Sequence, residues 1–212
     1  SKGLSYYRDL TSGRSVEEPL INIPEIFELI TSEKVLRVAR ECLGEKKIKI
    51  GYVKVRIFFA NNVSNFDTNY FHADDNCEKI IKGIVYLNDV YCDDDGPFVY
   101  IAGSNKNKML NKEGSISEEY FKDVKYSQEE IKNYYTIEKI KSLYGKRGTL
   151  ALADTTGIHR GIKPISNDRY VLFVNYVCEE EYGGSGKKLI INSNLFKKCE
   201  EKKDLFEYFE FC

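Results

Sequence analysis

Residues 48–60 read IKIGYVKVRIFFA, and the alternation within them decides the fold class. Side chains along a strand point to opposite faces in turn. Val53, Val55, Ile57 and Phe59 therefore share one face, and Lys54, Arg56 and Phe58 share the other. Similar runs follow at TNYFH (68–72), KIIKGIVYLNDV (79–90), FVYIAG (98–103), TLALAD (149–154), GIHRG (157–161) and RYVLFVNYV (169–177). KKLIIN (187–192) is a further candidate. Short strands separated by turn residues predict a mainly β chain, folded as a barrel or as a double-sheet jelly roll with helices packed outside.

The flanking helices carry their own signals. PEIFELI (24–30) opens on a proline suited to a first helical turn, and SEKVLRVARECLG (32–44) runs from a capping serine to a terminal glycine. Val35, Leu36, Val38, Ala39, Cys42 and Leu43 give the second helix an apolar side. Residues 1–23 lack periodicity and are expected to form an irregular arm. SQEEIKNYYTIEKIKSLYG (127–145) begins with a Ser127/Glu130 capping box, so residues 104–147 are expected to be a helical insertion. No linker or repeat divides the chain, and residues 1–212 are expected to form one domain.

Composition narrows the function classes. The charge is balanced, 32 basic residues against 33 acidic, which gives no footprint for nucleic acid or an anionic membrane. No apolar run reaches the ~20 residues that a membrane-spanning helix needs, and no signal-peptide pattern is visible. The six cysteines form no C-x-x-C pair, so free thiols in a reducing, cytoplasmic setting are expected. The Asp93-Asp94-Asp95-Gly96 cluster lacks the ligand spacing of an EF-hand and reads as a turn. Oligomeric state leaves no signal.

The sequence contains two histidines. His72 lies in NYFHADDN (69–76) and His159 in DTTGIHRGIKP (154–164). On a strand, His72 and Asp74 would present an imidazole and a carboxylate side by side, with Ala73 turned away. A second imidazole from a distant strand would complete a two-histidine, one-carboxylate set, the arrangement of non-haem Fe(II) oxygenases. H-x-D alone also occurs by chance, on surface or core histidines. Asp75 follows directly, and only the i, i+2 geometry favours Asp74. Arg169 opens a strongly apolar strand ten residues after His159. If it faces inward it needs a partner, because an unpaired buried charge is very costly; a ligand carboxylate could supply one. Lys54 and Arg56 would face the barrel mouth if the apolar face of 48–60 packs under the helices. For 79–90 the periodicity separates Lys82, Ile84 and Tyr86 from Gly83, Val85 and Leu87 without saying which set is inside.

FHADDNCEKIIKGIVYLNDVYCDDDGPFVYIAGSNK (71–106), followed by RGTLALADTTGIHRGIKPISNDRYVLFVNYV (147–177), resembles the phytanoyl-CoA dioxygenase family of Fe(II)/2-oxoglutarate oxygenases. The likeness covers roughly residues 24–182. It rests on the order of H-x-D, GPFVYIAGS, the distal histidine and the later arginine. The resemblance implies a cupin-like double-stranded β-helix core, with His72, Asp74 and His159 as iron ligands. Arg169 would bind the distal carboxylate of 2-oxoglutarate, and Arg56 is a second candidate for that co-substrate. It further implies a dioxygenase that consumes O2, decarboxylates 2-oxoglutarate to succinate and CO2, and hydroxylates a small-molecule or carrier-linked metabolite. Asp74 favours hydroxylation, since related halogenases carry a small residue there. Asn105 and Ala102 depart from the family's usual histidine and proline. Two alternatives stand beside this reading: a cupin-like metal enzyme without 2-oxoglutarate, and a catalytically silent jelly-roll binding module. Arg169 separates the first of these from the oxygenase.

Overall fold

In the computed structural model, β3 (Ile48–Phe58) lies antiparallel to β9 (Arg169–Cys178), which in turn pairs with β4 (Ile80–Tyr86). The structure describes residues 6–9, 13–16, 19–44, 47–60, 69–74, 80–105, 125–178, 189–191, 195–202 and 209–211. Around the central three, β7 (Leu150–Asp154) joins β4, while β2 (Gly13–Val16) and β1 (Tyr6–Asp9) extend the other edge. The resulting sheet has the order β1-β2-β3-β9-β4-β7. A smaller antiparallel sheet consists of β6 (Ile140–Leu143), β5 (Phe98–Ile101) and β8 (His159–Gly161), with β5 in the middle. Phe71 and His72 prolong it beyond β8 through isolated bridges to Tyr126 and His159. Together these make a mainly β, jelly-roll core with helices outside. A parallel pair, β10 (Leu189–Ile191) and β11 (Phe209–Phe211), stands apart from both sheets.

Alternating side chains sort into layers. Val53 and Val55 of β3, Ile81 and Val85 of β4, and Leu172, Val174 and Tyr176 of β9 form one buried face. They pack under α1 (Pro19–Asn22), α2 (Glu25–Ile30) and α3 (Glu33–Leu43). The opposite faces of the same strands look into the space between the sheets, where Phe58, Ile84, Tyr86 and Val171 meet Phe98. The Tyr86 hydroxyl bolts the layers together: it donates to the Leu143 carbonyl at 2.7 Å and accepts from the Phe98 amide at 2.9 Å. Outside the smaller sheet, Val99 and Ile101 pack with Phe71, Tyr126, Ile131 and Ile158.

Three expectations need correction. Residues 1–23 are not simply irregular: they supply β1, β2 and α1. Each strand has only four residues; β1 forms a hairpin with β2, which is held in turn by the distant β3, as Gly13 pairs with Phe58, so local pattern could not show them. The helix starting at Ser127 ends early. Its capping box is present, with the Glu130 amide donating to Ser127 Oγ at 3.2 Å, but α4 spans only Gln128–Lys132. A 3₁₀ turn over Ile137–Lys139 and then strand β6 follow, because the aromatic and β-branched run after Asn133 favours the open edge of β5 over a continued helix. Tyr126, Tyr134 and Tyr135 pack on the outer face of the smaller sheet; Tyr120 and Phe121 lie outside the described residues. Finally, α3 buries Val35, Leu36, Ala39 and Leu43 while Cys42 is exposed, since a single turn-by-turn stripe leaves position 42 off the buried face. Ser32 stands extended at its N-cap position but makes no side-chain capping bond, and Gly44 ends the helix at φ 72° as expected.

Gly83 is paired with Val174 across the β4–β9 seam. A β-carbon there would meet Val174 Cγ1 at 2.6 Å. Gly83→Ala should therefore overpack the central sheet and destabilise the fold by about 1–3 kcal/mol, seen as a lower urea midpoint with an unchanged slope.

Candidate metal centre

The backbone brings the two histidines together. The His72 amide donates to the His159 carbonyl at 2.9 Å, and the His159 amide returns the bond to the His72 carbonyl at 2.8 Å. Two residues on, the Asp74 amide donates to the Thr155 carbonyl at 2.8 Å. The side chains of His72, Asp74 and His159 follow onto one face, where their ligand atoms all lie within 4.8 Å of one another. His72 Nε2 is 3.9 Å from Asp74 Oδ1, and His159 Nε2 is 3.8 Å from Asp74 Oδ2.

Both imidazoles are turned by the same device. Nδ1 of His72 contacts the Tyr70 carbonyl and Nδ1 of His159 the Gly157 carbonyl, each at 2.9 Å. A carbonyl only accepts, so in both rings Nδ1 carries the proton and the Nε2 lone pair points at the other two groups. The Phe98 ring lies 5.4 Å from the His159 ring and limits its rotation. Burial is the largest influence on His159; with the nearby His72 and Lys82 charges it holds the ring at about 3, against the pull of Asp74. For Asp74, burial alone would raise the carboxyl. The Lys82 ammonium and His159, with the hydrogen bond from Lys82, outweigh burial and hold it at about 2. At neutral pH His159 is therefore a neutral imidazole and Asp74 a carboxylate, the forms that coordinate a cation.

Arg169 lies on the same cavity wall and faces inward. It is 3% exposed, and burial brings its guanidinium down to about 10, which leaves it charged at neutral pH. One Nη donates to the Gly96 carbonyl and, at 3.3 Å, to the Ile162 carbonyl. Nε has no partner, and no carboxylate among the described residues pairs with the group. The guanidinium carbon stands 4.2 Å over the Phe58 ring, and that of Arg56 stands 4.6 Å from the same ring. Gly161, two residues beyond His159 on β8, makes room for it, since a β-carbon there would come within 3.0 Å of Arg169 Nη2. The cavity measures about 200 Å³, and Arg56, His72, Asp74, His159 and Arg169 all line it.

Pattern reading missed some of the wall. Lys82 pairs with Asp74 Oδ2, and the alternation along β4 had left its face open. Gly161 and Phe58 gave no signal, because their role is to leave space and to offer a ring face. Lys54 does not line the cavity although Arg56 does. Asn105 donates to Asp154 Oδ2 at 2.8 Å and so braces the turn before Gly157. The Asp93–Asp95 segment is a 3₁₀ turn whose acids are used locally: Asp95 Oδ2 accepts from the Tyr91 amide and Asp93 Oδ1 from the Tyr144 hydroxyl, both at 2.8 Å. Cys42, Cys92 and Cys178 are free thiols, and no helix among the described residues is long and apolar enough to cross a membrane. Asp75 lies outside the described residues.

No protein-family model and no curated protein sequence matches the chain. Solved structures do. HygX from Streptomyces hygroscopicus, crystallised with nickel and 2-oxoglutarate, aligns at 14% identity over 90% of this chain and 78% of its own, with a TM-score of 0.59. SnoN, a non-haem alpha-ketoglutarate-dependent epimerase from nogalamycin biosynthesis, aligns at 13% identity over 82% of this chain and 66% of its own, with a TM-score of 0.56. EctD from S. alaskensis, with 2-oxoglutarate and 5-hydroxyectoine, aligns at 21% identity over 82% of this chain and 60% of its own, with a TM-score of 0.54. At these identities the likeness is one of fold.

The packing of Gly161 against Arg169 makes a coupled prediction. Gly161→Val should destabilise the protein by about 1–3 kcal/mol, whereas the same change in an Arg169→Ala background should cost clearly less. A double-mutant cycle from urea unfolding measures the difference.

Proposed function

We propose that the chain is an Fe(II)- and 2-oxoglutarate-dependent dioxygenase, related to the phytanoyl-CoA dioxygenase family, that hydroxylates a small-molecule or carrier-linked metabolite. One observation carries this reading. Two imidazoles with their Nδ1 atoms tied back converge with a carboxylate, and a buried guanidinium without a carboxylate partner among the described residues stands on the same cavity wall. A two-histidine, one-carboxylate set with open positions suits Fe(II). The likeness of fold to enzymes crystallised with 2-oxoglutarate supports the same co-substrate.

His72 Nε2, His159 Nε2 and one Asp74 oxygen would hold the ion. Bound there with 2-oxoglutarate, it would supply O2 activation coupled to decarboxylation of the co-substrate to succinate and CO2. The chain's own residues do the rest. The Tyr70 and Gly157 carbonyls keep both rings aimed, and Lys82 holds the Asp74 carboxylate in place. Arg169 binds the far carboxylate of the co-substrate and so fixes which end faces the ligands. Arg56, whose guanidinium also lies over the Phe58 ring, adds positive potential at that end. The Phe58, Phe98 and Phe173 rings on the cavity wall exclude water around the reacting groups. A metal enzyme without 2-oxoglutarate would leave the buried Arg169 unexplained.

Anaerobic addition of Fe(II) and 2-oxoglutarate should give a visible charge-transfer band with one equivalent of each. His72→Ala should abolish it. Arg169→Met should raise the 2-oxoglutarate concentration needed for half-saturation by about 10- to 100-fold, the loss of one charge-assisted pair. Iron binding without any 2-oxoglutarate band would instead favour the cupin-like alternative, and no iron binding would favour a silent binding module.

A further inference from the structure

The two ends of the cavity differ. On β9, Arg169 is paired across the sheet with Phe58, whereas Asn175 is paired with Lys82 on one side and Tyr52 on the other. Six residues of strand separate these positions, roughly 20 Å of backbone. Asp74 joins the Lys82 end by direct contact, and Gly161, two residues past His159, touches the Arg169 end. The three clustered side chains thus lie between two cationic groups. With 2-oxoglutarate on Arg169, the Lys82 end is what remains for a substrate.

That end is polar and positively biased. Asp74 is the lone carboxylate among the described lining residues, and Lys82 already neutralises it. One ammonium N–H is spent on Asp74 Oδ2; the other two meet no acceptor among the described residues. An apolar substrate would leave these groups unpaired, at a cost that buried polar groups seldom bear. A cationic substrate would meet Lys82 with no acid left to receive it. An anion would accept from both free N–H groups. The charge count agrees: a divalent ion, Lys82 and Arg169 exceed the charges of Asp74 and a dianionic co-substrate by one even with Arg56 left out.

We infer that the substrate carries an acidic group, a carboxylate or a phosphate, which docks on the Lys82 ammonium. This rests on the oxygenase reading above and names its substrate class. Lys82 is then a specificity residue, holding Asp74 with one N–H and the substrate acid with the others.

The test uses the protein loaded anaerobically with Fe(II) and saturating 2-oxoglutarate, titrated with hexanoate, hexyl phosphate and uncharged hexanamide. Docking beside the co-substrate shifts the charge-transfer band, whereas displacement of 2-oxoglutarate bleaches it. Hexanoate or hexyl phosphate should shift the band at concentrations at least tenfold below hexanamide, and whichever does so identifies the acid. Lys82→Gln, whose amide still donates to Asp74, should lose that preference, and Lys82→Arg should keep it. Equal responses to acid and amide, bleaching by both acids, or an undiminished preference in Lys82→Gln would overturn the inference while leaving the oxygenase reading intact. Absence of any band in the unsubstituted protein would overturn both.

Discussion

The reciprocal pair of backbone hydrogen bonds between His72 and His159, at 2.9 and 2.8 Å, is the constraint on which the site depends. It is the shortest form of an antiparallel ladder, one residue against one. It joins segments that the chain separates by strands of both sheets. Because the peptide groups fix where each α-carbon sits, the two rings reach the same face at the same level without help from packing. The Asp74–Thr155 bond then sets the third group two residues along. A jelly roll is well suited to this, since strands distant in sequence lie side by side at the rim of the smaller sheet.

Electrostatics complete what the backbone begins. A cluster of two histidines and an aspartate can collapse into a proton-sharing network unless the protonation states are imposed. Here the Tyr70 and Gly157 carbonyls select the tautomers, burial keeps His159 uncharged, and Lys82 keeps Asp74 ionised. Arg169 carries the opposite tension. Its charge is buried on an aromatic ring between two strands, satisfied only in part by the Gly96 and Ile162 carbonyls. A ligand carboxylate would relieve what the fold itself leaves unpaired.

How much of this was legible in the sequence follows from the range of each interaction. The facing of β3 could be read because Val53 and Val55 alternate with Lys54 and Arg56, so polarity marks the helix side. β4 resisted the same reading because both its faces are buried: Ile84 and Tyr86 inside, Ile81 and Val85 outside. With Lys82 as the only charged residue on that strand, its contact with Asp74 could be found only from the sheet register. β1, β2 and β6 were missed for a related reason: each has only four residues, and β2 and β6 are stabilised by partners far along the chain. The placement of His72 and Asp74 on one face followed from spacing, while His159 and Arg169 gained their meaning from the order of motifs shared with a known family. Gly161 shows the limit, for a residue that acts by lacking a side chain leaves no chemical trace in the sequence.

The central claim is that one ion joins two distant parts of the chain at a site the backbone has already assembled. Anomalous diffraction at the iron edge, from crystals grown anaerobically with Fe(II) and 2-oxoglutarate, tests it most directly. The account predicts a single strong peak within ~2.0–2.2 Å of His72 Nε2, His159 Nε2 and one Asp74 oxygen, with the far carboxylate of the co-substrate on Arg169. A peak elsewhere, or no peak while these three side chains keep the positions described, would contradict it.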